Sequence, residues 1–397
     1  MIQIALLGLG VVGRGTLDLL EHNRDLLAKR LGDTIEVKYI LDLRDFPGTP
    51  FENKVVHDFE IIRADKEVTL VAEMMGGAHP AYDFTKACLE AGKSVVTSNK
   101  EVVATFGEEL LAVAAAHRVA YAFEASVGGG IPIVRPLAND FLSNEVTAIS
   151  GILNGTTNYI LTEMEQKNKA YADALAEAQQ KGYAEKDPTA DVDGIDTCRK
   201  ICILTGIATG VLPAAAEIKT EGIRAIDLAD VALLKKSGRA VKLLGRMQLA
   251  GGKPCCIVAP FVCPNASPLA HVDGVFNGIS VSGSSLGETM FYGRGAGAEP
   301  TASAVCTDIV ATLRDGVTSF APVFKAATAD TLIPSGEFAC RRYLRSSLSE
   351  TELADKLGAL ETLDGSVGAY LTEREFTERE FDALAPALGL ISSLRVL

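Results

Sequence analysis

A lysine one helical turn past an aspartate can keep its proton and then hand it to an oxygen that is gaining charge. Residues 182–200, GYAEKDPTADVDGIDTCRK, put Lys200 in that position. Gly182-Tyr183 reads as a turn, and Pro188 fits just ahead of a helix. Ile195, Cys198, Ile201, Cys202 and Thr205 then recur at helical spacing, which predicts a helix from about Asp191. On it Asp193, Asp196 and Lys200 fall at i, i+3 and i+7 and share one face. The next residues, ICILTGIA, are apolar on every side, so the second half of the helix is expected to be buried. Lys200 then stands at the border of a core, facing two carboxylates. The same spacing also suits an exposed Asp-to-Lys pair on a solvated helix, and this pattern alone leaves both readings open.

A second group of residues is suited to phosphate. Gly8-Leu9-Gly10-Val11-Val12-Gly13 follows a short apolar strand, Ile2 to Leu7, and opens a helix. In that context G-x-G-x-x-G is a dinucleotide signature. Gly8 allows the tight turn, Gly10 the close approach of a pyrophosphate, and Gly13 close packing of helix on sheet. The helix N-terminus adds unpaired N–H groups and a partial positive charge. The next strand, Ile35 to Leu41, ends in Asp42-Leu43-Arg44-Asp45. An acid there takes the ribose 2′-hydroxyl of NAD, and an arginine accommodates the 2′-phosphate of NADP. Both are present, so both coenzymes stay open.

Those groups need a scaffold. Val68 to Ala72, the Gly76-Gly77 turn, the helical YDFTKACLEAG and the strand of KSVVTSNKEVVA continue a β-α-β-α-β order, the doubly wound parallel class. Glu73, Thr97, Ser98, Asn99 and Lys100 lie at carboxyl ends of its strands, where ligands gather in such sheets; a solvated loop lysine is the alternative for Lys100. Gly128-Gly129-Gly130 follows another strand, with Glu124 the only charge between Arg118 and Arg135. Backbone carbonyls with one carboxylate suit a hard monovalent cation, and a hinge between domains suits the same residues. After about Pro136 a strand, turn and helix (NEVTAISGILNGTTNYILTEM) and later antiparallel-looking strands read as a substrate and assembly domain. Gly293-Arg294-Gly295-Ala296-Gly297 then precedes a helix with Pro300 at its start, which returns the chain to the first domain. The expected division is 1–135, rejoined by about 295–320, then 136–294, then 335–397.

Composition agrees with such a chain. Its 397 residues, 48% hydrophobic and 22% charged, imply two or three domains with ample core. No apolar run is long enough to span a membrane, and Met1 leads into IQIALLGLG with no basic region of a secretory signal. A net charge of −13 speaks against nucleic acid or an anionic membrane as partner. The eight cysteines are scattered through apolar stretches, with no zinc ribbon or disulfide framework, and a reducing cytoplasm is the expected location.

Together these stretches resemble homoserine dehydrogenase. GLGVVG, EMMGG, TSNK, FEASVGGGIP, GILNGTTNYIL, GYAEKDPTADVDGIDTCRK and GRGAGAEPTASAV occur in that family's order along nearly all of residues 1–320. The resemblance implies a Rossmann-like parallel sheet and a second α+β substrate and dimerisation domain. It implies reversible hydride transfer between L-homoserine and L-aspartate 4-semialdehyde with NAD or NADP, in threonine, methionine and isoleucine biosynthesis. By resemblance Lys200 is the proton donor and acceptor, Lys100 a second active-site lysine, and Asp191 and Asp196 hold the substrate and orient Lys200. Glu185 takes the substrate ammonium, and Thr156, Gly182 and Tyr183 line the pocket. Gly8, Gly10, Val11, Val12, Gly13, Asp42, Arg44, Gly76, Thr97, Lys100 and Gly297 are the implied coenzyme residues. Glu124, Val127, Gly129 and Ile131 match a monovalent cation site (Na+ or K+), three of them through carbonyls. The implied partners are a small-molecule substrate and further copies of the chain, as homodimer or homotetramer.

The resemblance weakens after residue 335. RRYLRSSL, SETELADKLGAL, GSVGAYLTE, TEREFDALAPALGL and ISSLRVL read as a shortened amino-acid-sensing domain of the ACT type, which is normally βαββαβ. The segment between its first helix and next strand looks too short for a full strand pair. Ser349-Glu350-Thr351-Glu352 stands where an Asp-x-Pro-Gly turn is usual, so a degenerate domain is expected. Two other classes compete: a catalytically inactive dinucleotide-binding regulator, and aspartate-semialdehyde dehydrogenase, which needs a cysteine nucleophile. Retention of Glu185, Asp196, Lys100 and Lys200 argues against the first, and the lack of a recognisable nucleophile turn argues against the second.

Overall fold

The computed structural model describes residues 1–316 and 322–397, so the last residues of the expected 295–320 return, 317–320, lie outside the described residues. The chain divides into two compact units. The first joins Met1–Asn144, Cys202–Leu212 and Gly293–Ala326, and the second joins Glu145–Ile201, Pro213–Tyr292 and Ala327–Leu397.

The first unit is built on β1 (Ile2–Leu7), β2 (Ile35–Leu41), β3 (Val55–Val56), β4 (Val68–Glu73), β5 (Ser94–Thr97) and β6 (Tyr121–Ala122). All neighbours run parallel, in the order β3-β2-β1-β4-β5-β6. The order reverses between β1 and β4, and a doubly wound sheet opens its ligand crevice at such a reversal. Ile4 to Leu7, Leu70 to Ala72 and Val95-Val96 are fully buried, as the continuous apolar runs of a parallel sheet require. The helical stretch after Gly10 is two helices, Val11–His22 and Arg24–Leu31, joined through Asn23.

The chain continues with β7 (Val146–Ile152), β8 (Val211–Leu212), β9 (Lys219–Thr220), β10 (Arg239–Ala250), β11 (Lys253–Pro264), β12 (Phe276–Gly283) and β13 (Gly287–Arg294). It ends with β14 (Lys325–Ala326), β15 (Ala339–Cys340), β16 (Arg342–Ser346), β17 (Leu360–Asp364), β18 (Ala369–Thr372), β19 (Phe376–Thr377) and β20 (Leu390–Val396). One sheet of ten strands runs β13-β12-β7-β10-β11-β20-β16-β18-β17, with β9 on β11. The twelve-residue strands β10 and β11 pair along their whole length and carry the core of the second unit, where Leu244, Ile257, Ala259 and Phe261 are buried.

Two expectations need correction. The helix predicted from about Asp191 is broken: Thr189–Val192 forms one turn, Gly194 adopts φ +82°, and a new helix runs Ile195–Thr209. Glycine permits that left-handed backbone, and a Cβ at Gly194 would press on Thr220 and Val258 at 3.1 Å. Asp193 therefore leaves the Lys200 face and pairs with Arg224. The segment after the helix Glu350–Leu357 also does hold a strand pair, β17 with β18. Asp364 Oδ1 accepts from the amide and hydroxyl of Ser366 and tightens the turn that a short segment needs. Strands β16, β17, β18 and β20, with the helices Glu350–Leu357 and Glu378–Leu384, thus follow a β-α-β-β-α-β path in the spatial order β20-β16-β18-β17.

Candidate active site

In the first unit the glycine turn closes as its spacing predicts. Gly8 has φ +90°, and a Cβ on Gly13 would stand 2.1 Å from the Gly8 carbonyl oxygen, so the helix can lie against the turn only with glycine there. Nothing lies within 4 Å of a Cβ on Gly10, which leaves space in front of the helix N-terminus. Gly8, Gly10, Asp42, Arg44 and Gly76 line one cavity of about 520 Å3, joined by His57, Phe59 and Phe84. Asp42 accepts from the Leu9 amide at 2.8 Å and from the Arg44 guanidinium at 2.9 Å. Those Arg44 hydrogen bonds hold its carboxyl well below the usual carboxylate range. Arg44 also donates to the Leu9 carbonyl at 2.9 Å. The residues fit a dinucleotide: an open helix N-terminus for phosphate, with one acid and one arginine at the ribose end. Val11 is exposed, and neither Thr97, Lys100 nor Gly297 is among the residues lining this cavity. Gly297, at φ +119°, caps the helix Ala298–Asp315.

Beneath the crevice lies a buried acid. Glu73 accepts from the Met75 amide at 2.7 Å and the Thr97 hydroxyl at 2.6 Å, and burial pushes it up to about 7. Thr97 Oγ1 accepts from the Asn99 amide, and Asn99 donates to the Gly77 carbonyl while capping the helix Lys100–His117. The Glu73–Thr97–Asn99 chain fixes the start of the helix that carries Lys100.

The loop 124–131 is organised by Glu124. Its carboxylate accepts the amides of Ile133, Val134 and Arg135 at 2.7, 2.9 and 2.6 Å, and so caps the helix Val134–Asn139. Burial, with repulsion from Asp308, pushes it up to about 7. Among the described residues, the carbonyls of Val127, Gly129 and Ile131 accept no hydrogen bond, although Val127 and Ile131 are buried. That is a donor set able to take a cation.

The second unit holds Lys200, 6% exposed, with its ammonium 2.7 Å from Asp196 Oδ2 and 2.7 Å from the Leu153 carbonyl. This buried placement excludes the exposed-pair reading. Asn154 Nδ2 donates to Asp191 Oδ1 at 2.7 Å and Asp196 Oδ2 at 2.9 Å, while its Oδ1 accepts from the Thr157 amide. Burial raises Asp191, and the Asn154 hydrogen bond opposes that rise. Thr156 Oγ1 donates to the Tyr183 carbonyl at 2.6 Å, tying the 182–183 turn to the helix Gly155–Lys167. Glu185 and Gly182 are exposed. Asp191, Asp196, Lys200, Thr156 and Tyr183 are thus linked, and the residue that links the acids, Asn154, was not among those singled out by spacing. Its signal was local: an asparagine ahead of Gly-Thr-Thr reads as an N-cap. All eight cysteines are buried, and burial pushes the thiols of Cys88, Cys255, Cys263 and Cys306 up to about 12. Such thiols are poor nucleophiles.

Glycine-turn Rossmann architecture and a buried ammonium beside carboxylates define a dinucleotide-dependent oxidoreductase that acts on a CH–OH group. The chain belongs to the homoserine dehydrogenase family. It matches the homoserine dehydrogenase family model over residues 132–310 and the model "Homoserine dehydrogenase, NAD binding domain" over residues 8–124. The homoserine dehydrogenase of Neisseria gonorrhoeae is 37% identical over 384 residues, covering 94% of this chain and 86% of that protein. A solved homoserine dehydrogenase from Thiobacillus denitrificans superposes with a TM-score of 0.88 at 34% identity, over 100% of this chain and 98% of that one. A hyperthermophilic archaeal homoserine dehydrogenase in complex with NADPH has a TM-score of 0.69 at 27% identity, over 81% and 99% of the two chains.

Proposed function

We propose that this chain reduces L-aspartate 4-semialdehyde to L-homoserine, reversibly, with Lys200 giving the proton. The observation that carries the assignment of Lys200 is its ammonium, buried between Asp196 and the Leu153 carbonyl. The coenzyme, when bound, supplies or accepts the hydride. As negative charge builds on the aldehyde oxygen, the Lys200 ammonium stabilises it and transfers its proton; in the reverse direction Lys200 takes the hydroxyl proton. Asp196 orients that ammonium. Asp191 holds the substrate, Glu185 takes its ammonium, and Thr156, Gly182 and Tyr183 shape the pocket. Lys100 is the second active-site lysine.

NAD or NADP is held by Gly8, Gly10, Val11, Val12, Gly13, Asp42, Arg44, Gly76, Thr97, Lys100 and Gly297; the archaeal NADPH complex supports a phosphorylated coenzyme, and the arginine beside Asp42 suits its 2′-phosphate. The carbonyls of Val127, Gly129 and Ile131, with Glu124, take a monovalent cation. The protein works as a homodimer or homotetramer, with domains at 1–135, 136–294 and 335–397, the last a degenerate ACT-like domain. Homoserine oxidation assayed with NAD and NADP side by side tests the activity. Turnover with at least one coenzyme is expected; none with either overturns it, and phosphate-dependent semialdehyde oxidation would point to the competing dehydrogenase.

A further inference from the structure

We propose that Asn154 is a positioning residue: its amide clamps Asp191 and Asp196 together as ionised acceptors and so fixes the carboxylate that orients Lys200. The proposal rests on the reading of Lys200 as the proton donor. Two carboxylates held this close repel, and each would rather take up a proton than stay charged beside the other. One side-chain nitrogen donating to both, at 2.7 and 2.9 Å, offsets that repulsion. The nitrogen cannot turn away, because Asn154 Oδ1 is occupied as the cap of the helix Gly155–Lys167, accepting from the Thr157 amide at 2.9 Å. Its own preceding carbonyl, Leu153, holds the Lys200 ammonium at 2.7 Å. Residues 153 and 154 therefore set both the ammonium and its acid from one turn of chain. Asp196 Oδ2 receives Lys200 and Asn154 together, so the amide also limits how tightly that carboxylate retains the lysine proton.

The groups that face Asp191 are Asp196 and Lys200 from the helix Ile195–Thr209, and Asn154 and Thr156 at the start of the helix Gly155–Lys167. Burial already raises Asp191, and removing the Asn154 donor raises it further, so the ionised pair survives over a narrower pH range.

Asn154→Ser keeps an oxygen for the helix cap and loses the bridging donor; Asn154→Asp keeps the shape and a strong cap but adds a third negative charge. Expected for Asn154→Ser is a melting midpoint near wild type, kcat/KM for homoserine reduced about tenfold, and an acid limb of the pH profile displaced upward by about one unit, the worth of a hydrogen bond to a charged group. Asn154→Asp should move the limb the same way and further. A wild-type acid limb in either folded variant overturns the proposal, and a loss of activity with no displacement assigns Asn154 a structural role only. Lys200→Met, assayed in parallel, separates the two readings. If it retains turnover the assignment of Lys200 fails, while the limb of the Asn154 variants still reports whether the clamp acts on the acids.

Discussion

Replacing Lys200 with methionine keeps the length of the side chain and removes its ammonium, and Asp196 retains a donor in Asn154. The fold and coenzyme binding should therefore survive, while kcat falls by about 10²- to 10⁴-fold, the usual worth of a positioned acid–base group. Steady-state rates together with a coenzyme titration check this, and near wild-type turnover would remove Lys200 from the chemistry. Arg44 is a second residue whose loss can be read cleanly. Its guanidinium lies on Asp42 and the Leu9 carbonyl, in the wall of the cavity. If Arg44 faces the adenosine 2′-position, Arg44→Ala withdraws a cation from a 2′-phosphate bound there and uncovers the Asp42 charge against it. Binding of NADPH should weaken by about 10- to 100-fold, and that of NADH by much less. Dissociation constants from fluorescence quenching decide the point, and equal weakening would mean that Arg44 does not face the 2′-position.

At the scale of elements, the last strand and the second helix of the C-terminal segment meet through one buried acid. Glu378 accepts from Arg395 at 2.8 Å on both oxygens, from Arg342, and from Lys219 at 2.8 Å. Burial alone would raise it, but Arg395 and Arg342 outweigh burial and hold it at about 2. Its folded value is thus depressed below the unfolded value of about 4.3, so its stabilisation is complete above that pH and is lost as pH falls toward 2. Glu378→Gln takes the counter-charge from the buried Arg342 guanidinium, while Arg395 keeps Glu221 at 2.7 Å, and should cost about 3 kcal/mol at neutral pH, with less difference from wild type in acid; thermal melts across pH test both signs. The strands of the first unit were legible in the sequence because a parallel sheet buries uninterrupted apolar runs such as IQIALL and VTLVAE. The break at Gly194 was not, because the apolar spacing around Ile195 and Cys198 continues a helical pattern that one positive φ interrupts. Strand β17 was missed for the opposite reason: LETLD is largely exposed and has no apolar alternation to read. Lys200 and Asp196 could be found from spacing along one helix. Asn154 reaches Asp191 and Asp196 across about forty residues, a contact that no local pattern encodes.

Over the whole molecule, the same capping chemistry bears on control of activity. Ser349 and Glu352 close a reciprocal cap: the Ser349 hydroxyl accepts the Glu352 amide, and the Glu352 carboxylate accepts the Ser349 amide at 2.9 Å. The amides of Ser349 and Glu352 are therefore already taken, and Glu350 and Glu352 would repel an effector's carboxylate. We expect L-threonine neither to bind this segment nor to inhibit, as calorimetry and initial rates on the whole chain would show; saturable, inhibitory binding would overturn that expectation. The make-up of the first unit has a different consequence. Its early part is finished by the helix Ala298–Asp315, where Asp308 receives the Glu124 amide and Arg135, and where Cys306 meets the Thr16 carbonyl. A ribosome adding about 5–20 residues per second needs roughly 8–30 s to make the intervening stretch of about 150 residues. Throughout that interval the nascent chain carries an apolar sheet whose covering helix has not been made. A chain halted before residue 298 is therefore expected to expose apolar surface and to aggregate, and sedimentation of that truncated fragment would show it; a fragment that stays in the supernatant would overturn the expectation.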